Sequence, residues 1–182
     1  MKNNINRYLD QYLNSISEGK KQIKTFENII NSLKKIKKNN KLHIFGNGGS
    51  ASIASHFSMD ITNNSNIRCY SYNDPSIITC YANDYKFENW IKKVIEKYGS
   101  KNDIIFLISS SGKSKNMINA VNAAKKKRFA KIITLTGFNK TNSLKRLGDL
   151  NLWINSKQYN VVESTHHLWL LMIVDMIKKL NR

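Results

Sequence analysis

Acidic side chains are scarce in this chain. Twelve Asp and Glu stand against thirty Lys and Arg, giving a formal net charge of +18. Proline occurs once and glycine eight times in 182 residues, so no low-complexity linker divides the chain. The two cysteines, Cys69 and Cys80, have no metal-site spacing and read as buried or incidental thiols, without a disulfide between them. No apolar run reaches the length of a membrane span and no signal-peptide pattern opens the chain. The expectation is a soluble, cytoplasmic protein with no membrane partner.

The basic excess raises the question of a nucleic-acid partner. Its distribution argues against one. Lysines are scattered through every segment amid abundant asparagine and isoleucine, as an AT-rich coding bias produces. Lys34-Lys35-Ile36-Lys37-Lys38 and Lys125-Lys126-Lys127-Arg128 fall near predicted helix ends, where cations complement the helix dipole. No basic stripe interleaved with aromatic residues is present.

What the chain does have is 41% hydrophobic content in an alternating arrangement, enough for one domain spanning residues 1–182. Residues 5–37 carry apolar positions at helical spacing, with Ser17-Glu18-Gly19 as a point of division. This N-terminal helical extension, residues 1–38, precedes an α/β core at 39–182. Apolar β-rich runs at 41–45, 67–72, 103–109, 131–136 and 150–155 alternate with helical stretches near 50–62, 87–98, 114–127 and 140–147. The pattern predicts a doubly wound three-layer sandwich, about five parallel strands with helices on both faces. A long final helix, about 160–180, is apolar almost all round and is expected to be buried, as against a subunit.

Two turns carry the chemistry. Gly46-Asn47-Gly48-Gly49-Ser50 follows the first strand, and Ser109-Ser110-Ser111-Gly112-Lys113-Ser114 follows the third. Glycine lets backbone N–H groups close around an anion, and the next helix adds its positive end. Neither the dinucleotide spacing nor a Walker lysine is present, so no nucleotide cofactor is expected and a phosphorylated sugar is favoured. Ser114 also reads as an N-cap.

Of the four histidines, His43 lies within a strand and reads as structural. His56 and Asp60 are i and i+4 on the helix opened by the glycine turn. Glu163 and His167 have the same spacing on the last helix, with His166 beside them. Should the two helices meet, such a set could bind a divalent metal or supply an acid/base pair.

The motifs named above, together with His56-Phe57, Ala82-Asn83-Asp84-Tyr85 and Leu135-Thr136-Gly137, occur in the order seen in sugar isomerase (SIS) domains. The chain resembles most closely the phosphoheptose isomerase branch. That resemblance implies isomerisation of sedoheptulose 7-phosphate to D-glycero-D-manno-heptose 7-phosphate, through an enediol, toward heptose-containing surface polysaccharide. It implies a homotetramer with sites between subunits. Substrate contacts would come from Asn47, Gly48, Gly49, Ser50, His56, Asn83, Asp84, Ser109, Ser110, Ser111, Ser114 and Glu163. Asp60, in the place of the family's catalytic glutamate, is the candidate base, with His167 or Glu163 as its partner acid or metal ligand. The resemblance makes His56 and Asp60 zinc ligands, and the two helix pairs extend the expected set for one zinc ion per subunit to His56, Asp60, Glu163 and His167.

The chain departs from the branch pattern at Leu171, where the isomerases place a metal-binding catalytic histidine. His167 lies one turn earlier, about 6 Å back along the axis. Asp60 replaces a glutamate and Glu163 a glutamine. A second reading therefore stands beside the first: a non-catalytic SIS module resembling the protein that associates with the replication initiator.

Overall fold

A computed structural model describes residues 1–180. Five strands, β1 (Leu42–Phe45), β2 (Cys69–Tyr70), β3 (Ile104–Ser109), β4 (Lys131–Thr136) and β5 (Leu150–Trp153), form one sheet in the order β2-β1-β3-β4-β5. Every neighbouring pair is parallel. β3 reads as an unbroken apolar run because both its faces are covered. Ile104, Phe106 and Ile108 join one core, and Ile105 and Leu107 join the other.

Around the sheet lie α1 (Lys2–Ser17), α2 (Ile23–Lys34), α3 (Gly49–Asn64), α4 (Pro75–Tyr85), α5 (Trp90–Tyr98), α6 (Lys115–Lys126), α7 (Ser143–Leu147) and α8 (Tyr159–Leu180). Side chains of α2, α3 and α8 build the first core, and those of α5, α6 and α7 the second. The chain passes from β1 through α3 on one face, and from β3 through α6 on the other. The two connections diverge and leave a crevice at the carboxyl ends of β1 and β3. Both chemistry-bearing turns open into that crevice.

The N-terminal stretch breaks where the sequence indicates, through a 3-10 turn at Glu18–Gln22. Its second half is no outlying extension. Phe26, Ile29 and Leu33 of α2 are buried against the sheet, and Phe26 meets Trp169 edge-on at 5.5 Å. The first half, α1, lies along α8 but leaves Ile5, Leu9 and Leu13 exposed.

Several expectations need correction. The 67–72 run contributes a strand of only two residues at the sheet edge, and 140–147 shortens to α7. The stretch at 87–98 begins as a 3-10 turn, Phe87–Asn89. The element α4 is missing from the alternating pattern, and its apolar side is only half-buried, with Ile77, Ile78 and Tyr81 packed on the second core. Its start was written locally: the Asp74 carboxylate accepts from the Ser76 and Ile77 amides, and Pro75 opens the first turn. The helix α8 is two-sided. Trp169, Leu170 and Ile173 are buried, whereas Leu168 is exposed and Leu171, Met172 and Met176 line an open groove. Among the described residues, no helix is long and apolar enough to cross a membrane.

His43 is structural, as its strand position indicated. It is fully buried, with Nε2 at 2.9 Å from Asp103 Oδ2. Cys69 is buried, Cys80 exposed, and both are free.

Candidate active site

β1 feeds α3 through Gly46-Asn47-Gly48. Gly48 takes φ 53°, a left-handed backbone that favours glycine, and Gly49 begins the helix. β3 feeds α6 through the serine turn. Ser114 occupies the N-cap position of α6 but makes no capping bond. Its hydroxyl lies 3.0 Å from that of Ser109 instead. Ser110 is buried and its Oγ has no hydrogen-bond partner. A buried hydroxyl left unmatched costs stability, so its retention fits a ligand-facing role.

Asn47 and Asn116 bind the two turns together. Their side-chain amides exchange two hydrogen bonds, at 3.2 and 2.8 Å. Asn116 is buried in the first turn of α6, and no motif in the sequence marks it. A cavity of about 410 Å³ opens beside this pair, lined by Asn47, Ser114, Lys115 and Asn116 and by Lys86-Phe87-Glu88. Ser111 lines a different cavity, with Lys113, Phe138, Asn139 and Lys157. The serine turn thus faces two ways, which its spacing does not reveal.

α8 crosses α3 on the same face of the sheet and brings Glu163 to the glycine turn. The carboxylate lies directly over Gly49, where the atoms of any added methyl group would coincide with Oε2. A side chain fits there only if the carboxylate moves aside. Burial pushes the Glu163 carboxyl above its ordinary range, an effect partly offset by the neighbouring Ser110 hydroxyl. The carboxylate thus stands over the glycine turn, with Ser110 of the serine turn nearby.

One turn further along, His167 Nε2 stands 2.7 Å from His56 Nδ1, and one ring donates to the other. Asp60 Oδ2 faces the opposite nitrogen, His56 Nε2, at 3.7 Å. Burial and the nearby His56 lower the pKa of His167, against a smaller raising effect of Asp60. His166 points away into the core. Its pKa is pushed down to about 4 by complete burial, with Nε2 near the Thr136 carbonyl at 3.3 Å. It is a structural, neutral histidine.

The metal set expected from the two helix pairs does not come together. Tetrahedral zinc ligands at about 2.0–2.1 Å stand roughly 3.3 Å apart with lone pairs converging. His56 and His167 are instead joined through a proton, Asp60 addresses the far side of the His56 ring, and Glu163 lies over Gly49. Among the described residues, no three His, Cys, Asp or Glu side chains are placed to hold a metal ion. Leu171, one turn beyond His167, lines the exposed groove with Leu168 and Met172.

Asn83 and Asp84 sit exposed at the end of α4, hydrogen-bonded to each other at 3.1 Å. Among the described residues they share no hydrogen bond with either turn. Ser50 is buried behind the glycine turn, its amide bonded to the Asn47 carbonyl.

Residues 5–137 match the SIS domain family. The chain belongs to the SIS domain family. It is 33% identical over 171 residues to the phosphoheptose isomerase of Buchnera aphidicola subsp. Acyrthosiphon pisum, covering 91% of this chain and 88% of that one. It is 32% identical over 182 residues to the phosphoheptose isomerase of Helicobacter pylori, covering 94% and 88%. The fold superposes on the phosphoheptose isomerase of Neisseria gonorrhoeae with a TM-score of 0.86 at 25% identity, covering 98% of both chains. On the enzyme of Francisella tularensis the TM-score is 0.89 at 24% identity, again covering 98% of each chain, a likeness of fold alone.

Proposed function

We propose that this protein is a phosphosugar aldose–ketose isomerase that converts sedoheptulose 7-phosphate to D-glycero-D-manno-heptose 7-phosphate. The observation that carries this reading is the Glu163 carboxylate, raised in pKa and poised between Gly49 and Ser110 at the switch point of the sheet. Relatives named phosphoheptose isomerase support the choice of substrate.

The phosphate is taken by the serine turn, where Ser109, Ser110 and Ser114 offer hydroxyls and α6 its amino terminus. The glycine turn holds the reacting end of the sugar. In this chain Glu163, where the branch carries a glutamine, takes over the base's task from the shortened Asp60: it removes a proton from C1 of the ketose, and a cis-enediol forms. The proton returns at C2 while the O1 hydroxyl proton passes to O2, which leaves the aldose. A carboxyl raised toward the working pH suits both halves of that transfer. The His56–His167 pair donates to the oxygen on which negative charge develops. Asp60 orients His56 from behind.

The reading includes a homo-oligomer with sites close to subunit contacts. Its support is the apolar surface left open by α1 (Ile5, Leu9, Leu13) and by the groove of α8 that includes His167.

Incubation of the purified protein with sedoheptulose 7-phosphate tests the activity, with the aldose phosphate read by NMR. Steady formation of the aldose is expected. A second reading, a phosphosugar-binding module without chemistry, is favoured by Leu171 and the unassembled metal set. Saturable binding without any turnover would establish it.

A further inference from the structure

Lys86 has a backbone conformation that asks for an explanation. Its φ of 70° and ψ of 147° lie in a region that glycine alone occupies readily. At the two site turns the positive φ positions are filled by Gly48 and Gly112. Here a long cationic side chain is kept instead. Of the five non-glycine residues with positive φ among the described residues, Lys86 is the one that lines the cavity beside Asn47 and Ser114.

The surroundings hold this conformation in place. The Asn89 amide donates to the Lys86 carbonyl at 2.9 Å, and Asn89 Nδ2 donates to the Tyr85 carbonyl at 3.0 Å. Asn119 of α6 clamps the segment by donating to the Glu88 carbonyl and to Asn89 Oδ1. Backbone strain fixed by neighbours at a cavity wall points to a side chain with work to do there.

The charges indicate what that work is. The cavity wall has two cations, Lys86 and Lys115, and one carboxylate, Glu88. Glu88 faces Lys115 at 3.8 Å. Lys86 has no ion-pair partner among the described residues. The same cavity is lined by Ser114 and by Lys115 and Asn116 in the first turn of α6, donors that suit a phosphate.

We infer that Lys86 is a second anion-recognition residue of the sugar-phosphate cavity, meeting the ligand phosphate together with Ser114. This rests on the cavity being the sugar-phosphate site.

The test compares the unmodified protein with Lys86→Gly and Lys86→Arg, titrated calorimetrically with sedoheptulose 7-phosphate and separately with inorganic phosphate. Glycine removes the strain, so Lys86→Gly should melt at the same temperature or higher. Loss of one charge-assisted contact should weaken both ligands about tenfold or more, with KM raised and kcat little changed. Lys86→Arg should retain binding. Equal dissociation constants for Lys86→Gly and the unmodified protein would overturn the inference. Absence of turnover by the unmodified protein would count against the isomerase alone, since the binding comparison still decides the role of Lys86. Absence of sugar-phosphate binding by the unmodified protein would overturn both.

Discussion

The Glu163 carboxylate lies over Gly49 so closely that a side chain on the glycine would have to push it aside. The contact joins α8 to the first turn of α3 and fixes where the proposed proton carrier stands. Gly49→Ala is therefore expected to displace the carboxylate while leaving the helix intact, because alanine is a better helix former than glycine. Misplacement of a catalytic group by about 1 Å costs on the order of a hundredfold in rate. A kcat lowered by that order, with an unchanged circular dichroism spectrum, is the expected result. Steady-state kinetics beside a thermal melt checks it.

His56 uses one ring nitrogen toward His167 and the other toward Asp60. These donors diverge, and the position one turn past His167 is Leu171. The account predicts that turnover survives dialysis against EDTA and 1,10-phenanthroline. It also predicts far less than one zinc per chain by elemental analysis. Stoichiometric zinc whose removal stops the reaction would show that the two rings reorganise around a metal.

Asp103 ties the amino ends of β1 and β3 together at the far end of the sheet. Burial pushes its carboxyl up, but donation from His43, the Lys41 amide and the Ser100 amide outweighs this and holds it below the ordinary value. A depressed carboxyl stabilises the fold at pH values above its unfolded pKa. That contribution is lost as pH falls through the lower folded value. Asp103→Asn should cost about 3 kcal/mol at neutral pH, the scale for breaking a buried pair. The difference from the unmodified protein should shrink below pH 4. Urea titrations at pH 7 and pH 3 measure the gap at each end.

Much of the fold was legible because it depends on local signals. Runs such as Ile104–Ile108, separated by amphipathic helices, specify a parallel sheet, and the glycine and serine turns mark the carboxyl ends of its strands. The candidate site was legible only in part. Its turns are contiguous in sequence, but the approach of His167 to His56 depends on how α8 crosses α3, a packing angle no motif encodes. Reading i, i+4 pairs placed Asp60 and His56 on one face correctly. It could not tell that His167 would take the other nitrogen of His56. Asn116 and Lys86 went unnoticed for different reasons. The first is an ordinary helix residue until Asn47 meets it, and the second is marked by a backbone angle rather than by its type. α4 hid because its short apolar side is only half-buried, although Asp74-Pro75 spelled out its start.

The most direct test of the proposed chemistry is conversion of sedoheptulose 7-phosphate in D2O, with deuterium at C2 of the aldose read by NMR. The unmodified protein should form aldose labelled at C2. Glu163→Gln should form it at least a hundredfold more slowly, as loss of a general base requires. Unimpaired labelling by Glu163→Gln would remove Glu163 from the chemistry. No aldose from the unmodified protein would contradict the isomerase itself.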